Sequence, residues 1–265
     1  MNRDRLRALQ AGLLARARQP APPDWLPVVM AGAEVGIAHP DVASFLATHE
    51  PRFVLLDYRL VLEDADLDLR ARTALLFDAA ARLRDAGLLR GWRDESLDVR
   101  PAPDALPIAA IERAACRTLG ITTTAVHLNA FTPTGDMVVA RRADHKQIDP
   151  GRWDNLVGGM VPAGESELDA LAREAHEEAG LDLAGLAVVR GGRVHVTRVV
   201  AEGFQSEIVQ VFDAALPAHA QMRNIDGEVA AIEVRPIDAV VAAIERDEFT
   251  LESALVALDA LLRRA

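Results

Sequence analysis

One cysteine in 265 residues, Cys116, leaves nothing to pair with inside the chain, so no disulfide framework exists and a reducing compartment fits. No apolar run approaches the ~20 residues that a membrane-spanning helix needs. The opening residues, Asn2-Arg3-Asp4-Arg5, turn polar too soon for a secretory leader, and a cytoplasmic location is expected. A basic excess is missing as well: 29 Lys and Arg stand against 40 Asp and Glu, a formal net charge of -11. Such a surface repels nucleic-acid phosphates, which argues against broad electrostatic binding to DNA or RNA. It also sets a condition, because an anionic substrate must then meet a bound cation or a local group of Arg and Lys. No internal repeat is visible.

What is present is a globular composition, 50% hydrophobic and 26% charged, on a chain long enough for one large or two modest domains. Proline-rich stretches at 20–27 and 101–107 punctuate the first half. The spacing of Leu6, Leu9, Leu13 and Leu14 predicts a helix over 3–18. Short apolar runs predict strands near 28–30, 35–37, 53–56 and 60–62, with a hairpin turn at Ala31-Gly32-Ala33. Asp41 is the expected cap of a short helix to Thr48, and a longer helix over 69–86 stops at Gly87. This half is a small α+β arrangement without a catalytic signature. A helix is expected over 108–119. Strands follow near 122–131, 137–141, 186–189, 193–200, 207–216 and 229–235, with a loop between 141 and the helix at 167–179, and helices near 237–246 and 251–264. Strands around a central helix imply a layered α/β or α+β sandwich. The expected division is 1–115 and 116–265.

The informative stretch runs from Gly159 to Leu181. Ser166 with Asp169 has the form of a capping box, and Gly180 stands where a terminating glycine belongs. At 100° per residue, Leu168, Leu171, Ala172, Ala175 and Ala179 share one face, expected to pack on the core. Glu174, Glu177 and Glu178 project from another, at spacings i, i+3 and i+4, with Glu167 near the same line. Three such carboxylates repel one another; Arg173 reaches Glu177 but does not neutralise the set. A divalent cation does, since hard oxygen ligands completed by phosphate oxygens suit magnesium. A solvated acidic face is the bland alternative for such a charge run. Spacing decides between them: Gly159, five residues, Glu165, seven residues, Arg173-Glu174-Ala175, any, Glu177-Glu178, any, Gly180-Leu181.

That pattern resembles the box of the Nudix hydrolases, departing only at Ala175, where a bulkier aliphatic is usual. The resemblance implies a Nudix α/β/α sandwich, preceded here by a small α+β domain. It implies a Mg2+-dependent hydrolase, with Mn2+ as the alternative ion, acting on a small-molecule diphosphate. Glu174, Glu177 and Glu178 match metal-ligating carboxylates, and Gly159 matches a glycine whose carbonyl helps hold the metal. Glu165 and Arg173 match a pair that braces loop against helix. The general base in this family is often a Glu on a later loop, and Glu228 is the candidate. Arg141, Arg142, Lys146 and Arg152 cluster ahead of the box, with Arg141 and Arg142 the expected phosphate contacts. Trp153 and Asp154 are the expected lining for the other end of the substrate.

Further residues, Ala125-Val126-His127-Leu128-Asn129, Val139-Ala140-Arg141-Arg142, Trp153-Asp154-Asn155 and Gly91-Trp92-Arg93-Asp94-Glu95, resemble the branch related to the N-terminal part of thiamine pyrophosphokinases. That branch is associated with thiamine diphosphate and its oxidised analogues, cleaved to monophosphate and phosphate. Leu251-Glu252 departs from it, standing where a Pro-Asn pair is expected. The rivals are a house-cleaning nucleotide pyrophosphatase, an isopentenyl diphosphate isomerase, which needs an active-site cysteine, and a non-catalytic binding or regulatory module. Monomer and homodimer both remain open.

Overall fold

The computed structural model describes residues 2–146 and 148–265. Helix α1 (Arg3–Ala17) starts under an Asn2 side-chain cap. Strands β1 (Leu26–Met30) and β2 (Ala33–Ala38) form a hairpin whose turn places Ala31 and Gly32 at φ 48° and 74°, the positive values that a tight hairpin of this twist requires. Helix α2 (Pro40–His49), β3 (Phe53–Leu56), β4 (Arg59–Leu62) and α3 (Leu69–Asp85) follow, and the four strands order as β2-β1-β4-β3. Next, β5 (Ser96–Val99) and β6 (Ala109–Glu112) pair antiparallel and lead into the short α4 (Arg113–Thr118). Buried apolar residues from Val28 to Ile121 form one core.

The second sheet contains β7 (Thr123–Phe131), β8 (Met137–Arg142), β9 (Trp153–Asn155), β10 (Val157–Met160), β11 (Val188–Val200), β12 (Gly203–Ala215) and β13 (Val229–Arg235). Its path is β11-β12-β7-β8-β13. β7 and β8 pair only at Ala130–Val138 and Phe131–Met137; beyond that they part, β10 adding to β7 and β9 to β8. Helix α5 (Glu167–Ala179) covers one face of this sheet, while α6 (Ile237–Glu245) and α7 (Leu251–Arg264) cover the other. This is the expected α/β/α sandwich behind a mixed N-terminal region. Helix α7 is buried from Leu251 to Leu258 because α1 lies over it, with Leu6, Leu13 and Ala17 joining the same core. A helix sandwiched in this way must be apolar on nearly every side.

Several local expectations are corrected. Residues 108–119 are not one helix, because Leu97 of β5 pairs with Ile111 and draws 109–112 into a strand. The run Ile-Ala-Ala-Ile suits either period, and its partner decided. Helix α2 is capped by His39, whose Nδ1 accepts the Asp41 N–H at 3.1 Å, since Pro40 takes the first helical position. Strands β9 and β10 occupy what the sequence marks as loop. The two runs at 186–189 and 193–200 form the single β11, joined across a bulge that contains Gly191 and Gly192. Among the described residues, no helix is long and apolar enough to cross a membrane.

Candidate active site

Helix α5 begins at Ser166, whose hydroxyl accepts the Asp169 N–H at 3.2 Å and donates to the Asp169 carboxylate at 2.6 Å. It ends at Gly180, at φ 62°. The buried face is not the one the apolar residues suggest. Ala170, Leu171, Ala175, Glu178 and Ala179 are inside, whereas Leu168 is 57% exposed and Ala172 is also exposed. The helix is rotated toward its glutamates where β10 presents Gly159 to Glu174 and the Gly158 N–H to Glu178. A Cβ on Gly159 would collide with the Glu174 carboxyl group, and one on Gly158 would meet the His127 ring at 2.9 Å. The Gly158 N–H donates to Glu178 Oε2 at 2.9 Å. The missing side chain of Gly159 therefore makes the room in which the Glu174 carboxylate lies, while the Gly158 N–H holds that of Glu178.

Arg173 draws the set together. Its Nη1 donates to Glu174 Oε1 at 2.8 Å and Glu177 Oε2 at 3.1 Å, while Nη2 donates to Glu165 Oε2 at 3.2 Å and to the Met160 carbonyl at 3.4 Å. Burial works against the charged guanidinium, but the hydrogen bond to Glu165 and the charge of Glu174 outweigh it and hold its pKa above the usual value. Burial raises the Glu174 carboxyl against the pull of Arg173. It pushes Glu178 well above the carboxylate range, opposed by the Gly158 N–H and reinforced by the charges of Asp154 and Glu174. Among the described residues, no three His, Cys, Asp or Glu side chains stand close enough to hold an ion as they are. The donor chemistry nevertheless fits one: hard oxygens of Glu174 and Glu177 already share a single cationic nitrogen between them.

The loop before β13 docks on the C-terminal end of α5. Ile225 and Asp226 donate their N–H groups to the Glu177 carbonyl at 2.9 and 3.2 Å, and the Arg223 N–H reaches the Ala179 carbonyl at 2.9 Å. These acceptors are among the last carbonyls of a helix, which lack partners within it. The docking brings Glu228 to the box, where its carboxylate pairs with Lys146. Burial disfavours the Glu228 anion, yet the Lys146 hydrogen bond and charge prevail and its pKa is lowered.

A cavity of 340 Å³ opens over these groups, with Gly159, Glu174, Glu228, Arg142, Lys146 and Asp154 in its lining. Glu178 borders a smaller recess beside it, shared with Lys146 and Glu228. Arg141 and Trp153 are outside both linings. Arg141 donates to the Gly151 carbonyl, and the Trp153 ring lies 3.6 Å beneath the Arg235 guanidinium. Arg142 is tied to the Ile148 and Asp149 carbonyls and to Asp154, and Arg152 to Asp247 and Phe249. Asp154 also accepts the Ser253 hydroxyl, and the neighbouring Asn155 bonds His127 Nδ1 at 2.7 Å, so this corner is a buried polar network.

Other lining groups were given no role by the sequence. Glu207 of β12 and Glu252 of α7 are each 9% exposed and lie with Gln205 and Arg198 at one part of the cavity. Glu252 is engaged by Gln205 and Arg198, at 3.0 and 3.2 Å. Burial raises the Glu207 carboxyl and the charge of Glu252 raises it further. Arg90, Arg93, Arg113 and Arg117, all ahead of the second sheet, line another part. Cys116 borders it too, but burial pushes its thiol up to about 12.

A NUDIX domain model matches residues 121–255, and a domain of unknown function (DUF4743) matches residues 13–123. The chain is 30% identical over 197 residues to "Nudix hydrolase 20, chloroplastic" of Arabidopsis thaliana, a match covering 72% of this chain and 53% of that one. It is 27% identical over 252 residues to "Nudix hydrolase 24, chloroplastic" of the same plant, covering 91% and 68%. It therefore spans about half of the first relative and two thirds of the second. Among solved structures, DR0079 from Deinococcus radiodurans overlays 64% of this chain and 98% of its own at 22% identity, with a TM-score of 0.49.

Proposed function

The chain belongs to the Nudix family, and from that premise we propose that it hydrolyses the diphosphate bond of a small organic molecule with the help of Mg2+, or Mn2+ in its place. One observation carries the reading: buried carboxylates of α5 lie against Gly158 and Gly159 of β10 at the edge of a cavity that also contains cations. Glu174, Glu177, Glu178 and the Gly159 carbonyl would hold the ion. When bound, it would supply Lewis-acid neutralisation of the phosphoryl oxygens. Arg173 and Glu165 position these ligands and tie the loop to α5. Glu228, kept ionised by Lys146, takes the proton from the attacking water. Arg142 and Lys146 stand at the same cavity, Arg142 holding Asp154 and Lys146 holding Glu228. Cys116, protonated near neutral pH, offers no thiolate, which favours hydrolysis over an isomerase reaction.

A finer reading is supported by the buried Glu207 and Glu252: a cationic or N–H-rich head group, as in thiamine diphosphate or its oxidised analogues, would satisfy carboxyl groups that repel a nucleotide phosphate. Asp154 stands at the same cavity, while Trp153 would have to leave Arg235 to join it. The products would be a monophosphate and inorganic phosphate. The division into an accessory part, residues 1–115, and a catalytic part, 116–265, belongs to the same proposal, as does a cytoplasmic location. Catalytic efficiency on thiamine diphosphate, oxythiamine diphosphate, ADP, 8-oxo-dGTP and ADP-ribose at one magnesium concentration tests both levels. A nucleotide better than both thiamine compounds by tenfold would refute the head group and leave the hydrolase. No cleavage of any diphosphate would refute the hydrolase.

A further inference from the structure

We propose that the region preceding the second sheet supplies the anion-binding wall of the cavity, with Arg113 and Arg117 of α4 and Arg93 of the loop before β5 receiving a substrate phosphate across from α5. This rests on a diphosphate being the substrate. Four arginines from that region, Arg90 included, reach the cavity lining.

The arrangement is built rather than incidental. Arg113 and Arg117 are four residues apart on α4 and so share a face. The fully buried Glu112 caps α4 by accepting the Ala114 N–H at 3.2 Å, and the same oxygen accepts the Arg93 N–H at 2.8 Å. One carboxylate thereby fastens the Gly91-Trp92-Arg93 loop to the start of the helix. Arg113 gives one N–H to Glu95 at 2.6 Å, which fixes the guanidinium without using its full set of five donors. Arg117 lies 3.7 Å from Glu202, an exposed residue. Arg113 stands close enough to the reaction groups that its charge bears on both Glu228 and Glu207.

The lining cations after residue 120 are each paired with a carboxylate of the same cavity. Arg142 is fastened to two carbonyls and Asp154, Lys146 to Glu228, and Arg198 to Gln205 and Glu252. A chain with a net charge of -11 that binds an anion must concentrate positive charge locally, and α4 with its adjoining loop is where the cavity does so. Guanidinium groups suit this task because their planar donors match phosphate oxygens.

The test uses the whole chain with Arg113→Ala, Arg117→Ala, Arg93→Ala and the charge-keeping Arg113→Lys. Arg52→Ala, which breaks a surface pair with Asp66, serves as control. Binding of inorganic pyrophosphate is measured by calorimetry in EDTA, and KM and kcat on the best diphosphate of the screen with magnesium. Expected are affinities weakened about ten- to a hundredfold and KM raised alike for Arg113→Ala and Arg117→Ala, with kcat within about threefold. Arg113→Lys should fall between, and Arg52→Ala should match wild type. Should Arg113→Ala not fold, Arg117→Ala and Arg93→Ala decide. Pyrophosphate affinity and KM within twofold of wild type in folded variants would overturn the proposal, and so would no pyrophosphate binding by wild type. Arginine-dependent pyrophosphate binding without hydrolysis of any diphosphate would instead overturn the hydrolase and leave the wall in place.

Discussion

The two walls of the cavity are made in opposite ways. The wall of β10 and α5 is nearly continuous chain, from Gly158 to Glu178, and it is anionic, with Glu178 buried and Glu174, Glu177 and Glu165 held by one arginine. A second part of the lining is assembled from the loop before β5 and from α4, and it is cationic and partly open to solvent. The first gains its geometry from absent side chains, since Gly159 leaves the space that Glu174 fills. The second gains it from one buried carboxylate, Glu112, that ties two segments together. A wall that concentrates negative charge needs a cation to work, whereas a wall of arginines is ready for an anion as it stands. Under the proposals above, chemistry falls to one side and capture to the other.

The heaviest blow to this contrast falls on the acidic side. Glu178→Gln and Glu177→Gln are each expected to lower turnover by more than about 10²-fold at saturating magnesium with the fold intact, since loss of outer partners alone reaches 10²-fold. Phosphate release and circular dichroism check this, and near-wild-type turnover in both would remove these residues from the metal set. Glu228→Gln should cost about 10²-fold in kcat, the lower end for a general base, because Lys146 keeps its pKa low and so makes it a weak base. A lowered carboxyl also means that, once the metal is saturating, the titration of Glu228 itself lowers the rate only below the usual carboxylate range. Less than about tenfold slowing would move the role elsewhere.

Gly159→Ala sharpens the role of the missing side chain. The new methyl must displace Glu174, and a tenfold to hundredfold fall in rate is expected, together with about 1–3 kcal/mol lost to overpacking. Urea unfolding with steady-state kinetics measures both; an unchanged enzyme would mean that Glu174 has room elsewhere. The smallest effect lies between the walls, at Glu207. Its carboxyl is raised in the folded state by burial and then by Glu252, so its contribution to stability is complete below the unfolded value and is lost as pH climbs through the folded one. Glu207→Gln should therefore melt roughly a few degrees above wild type near pH 7.5 and no higher near pH 4. Equal curves at both would show that the pair is stabilised by neighbours in its charged form.

What the sequence determined by itself was everything encoded within a few turns of chain. The cap at Ser166, the stop at Gly180, the carboxylate spacing on α5 and the apolar runs of β7, β8 and β13 are local patterns, and each stands where its spacing puts it. The tertiary structure alone decided what depends on a partner. Residues 109–112 took a strand because β5 was there to pair with, and α5 turned toward its glutamates where β10 offered Gly159 to Glu174. Helix α1 left its sequence neighbours to cover α7. Glu207, Glu252 and the arginines of α4 carry no mark in their own surroundings, since a lone Arg or Glu on an element reads as solvated surface. Only folding, by burying apolar surface from distant segments, brings their charges into one cavity, where low exposure makes Glu207 and Glu252 count most.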